Sequence, residues 1–342
     1  IRDVRGEGRS LVIRQWPDSR KEAAAIASQL RDYRKLGLPW EEMAVLYRTN
    51  TGPRQLVETL MEYNIPFSMR DVLPNLYDHW ICRDLMAYIR AGKGQISRAD
   101  FLRIMNRPVR YISRDALEGR VVDLERVKSF YQDRPWMMER VEQLEYDLHM
   151  IKGLAPGAAV NYIRKAVGYD DFIRDYALER RLDREELTEI LDQLQESGLR
   201  YKTMEQWEES IEAYRKELER QQEGRKEKQE GVSLMTMHSS KGLEFRVVFI
   251  LDANEGITPH HRAQLEADLE EERRMFYVAM TRAKDRLHIY YAGERYHKKQ
   301  EVSRFVKEIE DDAGTDSHIL WGRQRENQRG TGTGGAGGGK RA

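Results

Sequence analysis

The sequence predicts an α/β fold: a parallel sheet whose chain is interrupted by an all-α insertion. Three observations predict it. Strand-length apolar runs alternate with helical patterns over residues 1–78, strand signals vanish from 79 to about 230 while helical patterns follow one another, and the alternation returns at Val232. Strand–helix–strand order of this kind calls for parallel strands joined by crossover helices.

The elements follow in order. Leu11 to Ile13 reads as a short strand. Asp18 or Ser19 can cap a helix whose apolar positions Ile26, Ala27, Leu30 and Tyr33 repeat at helical spacing, with Gly37 ending it and Pro39 beyond. Met43 to Tyr47 is a continuous apolar run of strand length. After the turn Arg48 to Gly52, Pro53 opens a helix with Leu56, Val57, Leu60 and Met61 on one face. Ile65 to Phe67 reads as an edge strand. Helical patterns then cover 80–91, 98–106, 114–130, 137–152, 157–167, 183–196 and 203–220, and residues 215–230, eleven of sixteen charged, read as a solvated helix or connector. Val232 to Thr236 and Arg246 to Leu251 are strand-like, Leu269 to Arg282 is helical, and Arg286 to Tyr291 is another strand. The expected division is 1–78 and 231–312 as two segments of one α/β domain, 79–230 as the insertion, and 313–342 as a disordered tail in which seven of the last thirteen residues are Gly.

Composition narrows the function classes. The 342 residues carry 58 Lys+Arg against 58 Asp+Glu. That balance excludes a uniformly basic coat for nucleic acid but leaves room for a local basic groove. The single cysteine, Cys82, excludes a disulfide framework and a Cys-based zinc site and fits a reducing, cytoplasmic setting. No apolar run approaches the ~18 residues of a membrane span. The chain starts at Ile1 without a charged-then-apolar leader and reads as a piece of something longer.

Two motif-like stretches are set aside. Gly334 to Lys340 has the spacing of a phosphate-binding loop, but Arg341 follows where a hydroxyl residue is needed, and the chain ends before a helix can begin. Val247 to Asp252 ends in an acid like a magnesium-binding strand, yet has no such loop as a partner. The adjacent His260 and His261 have no third ligand at a familiar spacing, so no metal site is expected.

The informative stretch is 232–285. Its first block, Thr236-Met-His238-Ser-Ser-Lys241-Gly242-Leu-Glu244-Phe245, is a strand running into a turn dense in donors. With Gly242 allowing close backbone approach, such a turn suits phosphate or an anionic polymer. Its second block, Glu270-Glu-Glu-Arg273-Arg-Met-Phe-Tyr277-Val-Ala-Met-Thr281-Arg282-Ala-Lys284, starts acidic and ends basic. Alone, that pattern is ordinary compensation of a helix dipole.

Together the blocks resemble motifs V and VI of the UvrD/Rep/PcrA family of DNA helicases, with Glu255-Gly-Ile-Thr-Pro259-His260 filling the element between them. Met43 to Asn50 resembles an early strand and turn of the same domain. Asp84 to Arg90 and Leu102 to Pro108 resemble the entry to its inserted helical subdomain. The resemblance implies the second RecA-like domain of such a motor, a P-loop-NTPase-type fold lacking the P-loop itself. It implies that ATP lies between two RecA-like domains and that single-stranded DNA crosses their top. By motif position Arg282 takes the arginine-finger role, which wants a planar, permanently charged guanidinium, and Glu244 lies near the nucleotide ribose. Thr236, His238, Lys241 and His260 contact the DNA strand, joined by Arg48 and Asn50. The implied partners are ATP with Mg²⁺, whose ligands belong to an N-terminal half of the same polypeptide, and single-stranded DNA or its junction with duplex. The implied activity is 3′ to 5′ unwinding in repair or replication, with no ATP turnover by this chain alone. Tyr111-Ile112-Ser113 stands where the family often has Gly-Ile-Gly. The tail's Arg323, Arg325, Arg329, Lys340 and Arg341 are a further candidate contact for nucleic acid or a protein partner. The alternative reading is a non-catalytic DNA- or protein-binding module that keeps the fold.

Overall fold

The computed structural model describes residues 10–50, 52–94, 96–223, 230–312 and 319–321. Seven strands line up in the order β3 (Phe67–Met69), β4 (Val232–Thr236), β2 (Met43–Tyr47), β5 (Phe245–Ile250), β6 (Ala283–Arg295), β1 (Ser10–Asp18) and β8 (Ile319–Trp321). All neighbouring pairs on this path are parallel, and the two-residue β7 (Lys298–Lys299) turns back antiparallel on β6. The α/β class and the parallel sheet are therefore as the sequence predicts. The disordered-tail expectation is corrected at one place: Ile319–Trp321 adds strand β8 beside β1, while the rest of 313–342 lies outside the described residues.

Parallel sheets are covered on both faces, and alternate residues of the central strands divide between two cores. Val45, Tyr47, Val247 and Phe249 point to one side, with α1 (Ser19–Lys35), α2 (Arg54–Glu62) and the helical insertion. Ala44, Leu46, Val248 and Ile250 point to the other, covered by α11 (Glu266–Met280) and α12 (Arg304–Asp312). The Asp18 side chain accepts from the Lys21 N–H at 2.8 Å, as the cap reading requires. Gly37, at φ +89°, ends α1.

The insertion comprises α3 (Trp80–Gly92), α4 (Arg98–Ile104), α5 (Leu124–Phe130), α6 (Pro135–Ile151), α7 (Pro156–Lys165), α8 (Tyr169–Arg180), α9 (Arg184–Leu199) and α10 (Met204–Glu223). Two expectations change here. The helix expected over 114–130 is a 3₁₀ turn followed by an extended stretch and α5, because Gly119 takes φ +71° and Val121 bridges to Ser97. Helix α8 was unmarked, although Tyr169, Phe172, Ile173, Tyr176 and Ala177 carry helical spacing. At the centre of the insertion the fully buried Asp84 accepts from Arg107 (2.7 Å), Arg103 (3.2 Å) and the Tyr169 hydroxyl (2.7 Å), tying α3 to α4 and α8. Helices α7 and α9 meet backbone to backbone: a Cβ on Gly198 would lie 2.8 Å from the Gly157 nitrogen, so only glycine fits.

Three sets of contacts fasten the insertion to the sheet unit. Glu58 of α2 accepts from Arg54 (2.5 Å) and the Tyr77 hydroxyl (3.1 Å) and from Arg200 after α9 (2.6 Å). The acids along α9 meet bases from the sheet unit: Asp183 with Arg262 (3.1 Å), Glu189 with Arg295 (3.1 Å) and Asp192 with Lys298 (2.7 Å). At the sheet edge, the buried Gln221 of α10 donates to the Phe67 carbonyl and accepts from the Met69 N–H, both at 3.0 Å, acting as a side-chain strand beside β3.

Candidate functional site

The sheet sorts the candidate residues into two groups at its two ends. Arg48 and Asn50 follow the C-terminal end of β2, Thr236 ends β4, and His260 lies in the loop after β5. Glu244 and Arg282 directly precede β5 and β6, at the opposite end. Six residues of β5 separate the ends by about 20 Å.

At the C-terminal end, chain order reverses between β2 and β5: β2 leads through α2 toward β3, and β5 leads through α11 toward β6. Such a switch point leaves a crevice outside the strand ends, where open α/β sheets bind ligands. Here the crevice has a volume of about 340 Å³. Its lining includes Asn50, Gly256, His260, His261 and Arg295, with α9 forming the far wall. Glu272 of α11, 7% exposed, organises its rim. Its carboxylate accepts from Arg48 Nε at 2.9 Å and Nη2 at 2.5 Å, and from the His260 N–H at 3.2 Å. The sequence brought Arg48 and His260 forward as separate contacts and passed over Glu272. The only sequence signal for it was its place in the acidic start of α11, which reads equally as dipole compensation. Burial, and then the adjacent His261 ring, lowers the His260 pKa, so its ring is neutral near pH 7 and offers hydrogen bonds and stacking instead of charge.

The turn after β4 is built by hydroxyls. Thr236 Oγ1 accepts from the Ser239 N–H at 3.1 Å, and Asp71, just past β3, accepts from the Thr236 N–H at 2.6 Å and the Ser239 hydroxyl at 2.5 Å. Ser240 is buried, its hydroxyl donating to the Met237 carbonyl at 2.6 Å. Of the five donors read in this turn, His238 and Lys241 are the exposed ones, and the Lys241 ammonium has no carboxylate partner among the described residues. Gly242 has a conformational reason of its own in this turn. Nothing lies within 4 Å of where its Cβ would be, and its φ of +85° is what demands glycine.

At the opposite end, the Phe245 N–H donates to the Arg282 carbonyl at 2.9 Å, which sets Glu244 and Arg282 side by side. The Arg282 guanidinium donates to the Val278 carbonyl, the Leu243 carbonyl and Thr281 Oγ1, each at 2.9 Å. Three of its five N–H groups are thus used in holding the end of α11 to the motif turn, and two remain to fork onto an anion. Glu244 has Lys284 at 3.7 Å. Asp252, the acid at the end of β5, is buried against Glu22, whose carboxylate accepts its N–H at 3.0 Å; burial raises the pKa of both. Among the described residues no cluster of three or more His, Cys, Asp or Glu could hold a metal ion, and no helix is long and apolar enough to cross a membrane.

Comparison with known sequences gives the family. The UvrD-like helicase C-terminal domain matches residues 1–294. The chain belongs to that family. It is 32% identical over 346 aligned positions to the ATP-dependent DNA helicase PcrA of Staphylococcus epidermidis, covering 89% of this chain and 44% of that protein. The PcrA of Staphylococcus aureus is 30% identical over 336 positions, covering 85% and 42%, and the putative ATP-dependent DNA helicase YjcD of Bacillus subtilis is 27% identical over 303, covering 84% and 39%. The UvrD-like chain thus spans less than half the length of these relatives.

Proposed function

We propose that this UvrD-like chain is the C-terminal motor half of an ATP-dependent DNA helicase that translocates 3′ to 5′, with 1–78 and 231–312 forming the second RecA-like domain and 79–230 its inserted helical subdomain. The observation that carries the proposal is the two-ended site. Glu244 and Arg282 stand together at one end of β5 and β6. Exposed His238, two residues past β4, and the rim of Arg48, Asn50 and His260 lie toward the other, with exposed Lys241 in the turn between. One turn, 236–244, and one helix, α11, connect the ends.

In this reading ATP with Mg²⁺ is supplied by the N-terminal half, which holds the phosphates and the metal ligands. Arg282 offers its two free N–H groups to the developing phosphate charge, and Glu244 offers a carboxylate toward the ribose. When nucleotide engages Arg282, the pull passes through the Leu243 carbonyl into the turn carrying Lys241, and along α11 to Glu272 and the rim. Cycles of closing and opening between the halves would then move single-stranded DNA past that grip. The test is to mix this chain with its N-terminal half and measure ATP hydrolysis with and without single-stranded DNA. The chain alone is expected to be inactive, and the pair to show DNA-stimulated turnover. A pair that binds DNA yet never hydrolyses ATP supports the non-catalytic module instead.

A further inference from the structure

The insertion carries a surface cluster that the two-ended site does not use. Tyr111 is 67% exposed, in the loop before α5, and Trp136 is 52% exposed, in the first turn of α6. The Arg140 guanidinium carbon lies 5.2 Å from the centre of the Tyr111 ring and 5.0 Å from that of Trp136. Single exposed apolar side chains are ordinary. Two large rings converging on one cation from separate segments are not.

The loop beneath them is rigid. Asn106 donates to the Ile112 carbonyl and accepts from the Ile112 N–H, both at 2.9 Å. The buried Arg110 donates to the Tyr88 hydroxyl (3.1 Å) and to the carbonyls of Ile104 (3.2 Å) and Pro108 (3.3 Å). The Ser113 N–H donates to the Tyr131 hydroxyl at 2.7 Å. This scaffold holds Tyr111 at φ +61°, a left-handed conformation that a bulky side chain adopts at a cost of about 1–2 kcal/mol. The strain serves no burial, since the ring it directs is in solvent. Arg140 spends one bond on the Arg110 carbonyl, at 3.3 Å, and has no carboxylate partner among the described residues.

We propose that Tyr111, Arg140 and Trp136 form a stacking platform for unpaired bases of a single-stranded nucleic acid. The proposal rests on the reading that the chain works on DNA, and adds a second contact point on the insertion. Aromatic rings offer π faces to any base, and a guanidinium between them meets the phosphate that follows. The exposed flanking residues are of both signs, the acids Asp133 and Glu139 and the bases Arg114 and Arg134, so the neighbourhood is not a general basic patch and the rings with Arg140 between them are its distinguishing feature. A duplex, its bases already stacked, offers such a surface little.

The test is titration of fluorescently labelled dT20, and of an abasic strand of equal length, with the 342-residue chain and its variants. Trp136→Ala and Tyr111→Ala are expected to weaken dT20 binding about tenfold each, Trp136→Phe to stay within about threefold of wild type, and none of the three to change abasic-strand affinity. Thermal midpoints should stay close to wild type, because both rings are solvent-facing. Unchanged dT20 affinity in both alanine variants overturns the platform, as does an equal loss on the abasic strand. Lys241→Ala, measured in parallel, separates the two readings. If it alone weakens binding, the platform is wrong and the DNA reading stands; if the wild-type chain binds neither strand, both fall.

Discussion

Replacing Glu272 with alanine tests the rim of the switch-point crevice most directly. The substitution deletes a 7%-exposed carboxylate that accepts two hydrogen bonds from Arg48 and one from the His260 N–H. Removing one partner of a fully buried ion pair costs about 3–5 kcal/mol, because the other charge is left unpaired. The Arg48 side chain keeps 27% of its surface in solvent, so water recovers part of this, and a loss of about 2–3 kcal/mol is expected. At about 2–4 °C per kcal/mol, the thermal midpoint should fall by roughly 4–12 °C. The assay is unfolding followed by circular dichroism for wild type, Glu272→Ala, Arg48→Ala and the double variant. The double variant should be little worse than Glu272→Ala, since the unpaired cation goes with its partner, giving a coupling of about 1–3 kcal/mol. If the two single losses simply add, Arg48 and Glu272 do not act as a unit and the rim is not organised by this pair.

Three further outcomes follow from the same geometry. In the full-length protein, Arg282→Ala should abolish ATP turnover while single-strand affinity stays near wild type; because Arg282 also holds the carbonyls of Val278 and Leu243, its thermal midpoint is measured alongside, and turnover within a few-fold of wild type would refute the finger role. Lys241→Ala should lower the slope of log affinity against log salt by about one for single-stranded DNA, whereas an unchanged slope would leave Lys241 without a phosphate contact. Burial pushes His288 down to about 4, with the Arg286 charge adding to the effect. Between that value and the ordinary 6.5 the unfolded chain binds a proton that the folded chain does not, so stability contributed here is complete above pH 6.5 and falls on acidification, by at most about 3 kcal/mol. The buried acids Glu22 and Asp252, raised in the fold, act in the opposite sense. The measurement is therefore the difference between His288→Gln and wild type, which should shrink from pH 7 to pH 4; a pH-independent difference would show that His288 does not titrate in this way.

The sheet was legible because its strands are apolar runs of the right length. Met43–Tyr47 and Val232–Thr236 appear with the boundaries read from sequence, since burial on both faces leaves no alternative pattern. Strand β6 proved longer than its apolar centre, Arg286 to Tyr291. Its start at Ala283 pairs with Phe245 of β5, its far end stays paired to β1 as far as Glu294, and Arg295 pairs with Lys298 of β7, a tertiary effect no local pattern carries. The site was legible as a list of residues and opaque as an arrangement. Nothing in the spacing indicates that Arg48 is already bound by Glu272, or that Asp71, far away in the chain, takes up the Thr236 N–H and the Ser239 hydroxyl. The zero net charge acquires a local account too. Many bases near the crevice, Arg262, Arg295 and Lys298 among them, are matched by acids of α9, which leaves Lys241 as the exposed cation of the motif turn.

The Gln221 contact beside β3 bears on how so long an insertion fits between two adjacent strands. Strands β3 and β4 are adjacent and parallel, so the chain leaving Met69 must return to the opposite end of the sheet before it can start at Val232. A parallel pair ordinarily makes that return with a single helix. Helix α10, whose Gln221 reaches β3 just ahead of β4, makes the return here. In path terms α10 is the crossover between these two strands, and α3 to α9 lie in the stretch of chain that leads into it. A shortened protein that joins the chain just past Asp71 to Met204 would keep the sheet's winding, its sealed edge and the Asp71 hold on the motif turn, while losing the α9 wall of the crevice along with most of the helical mass.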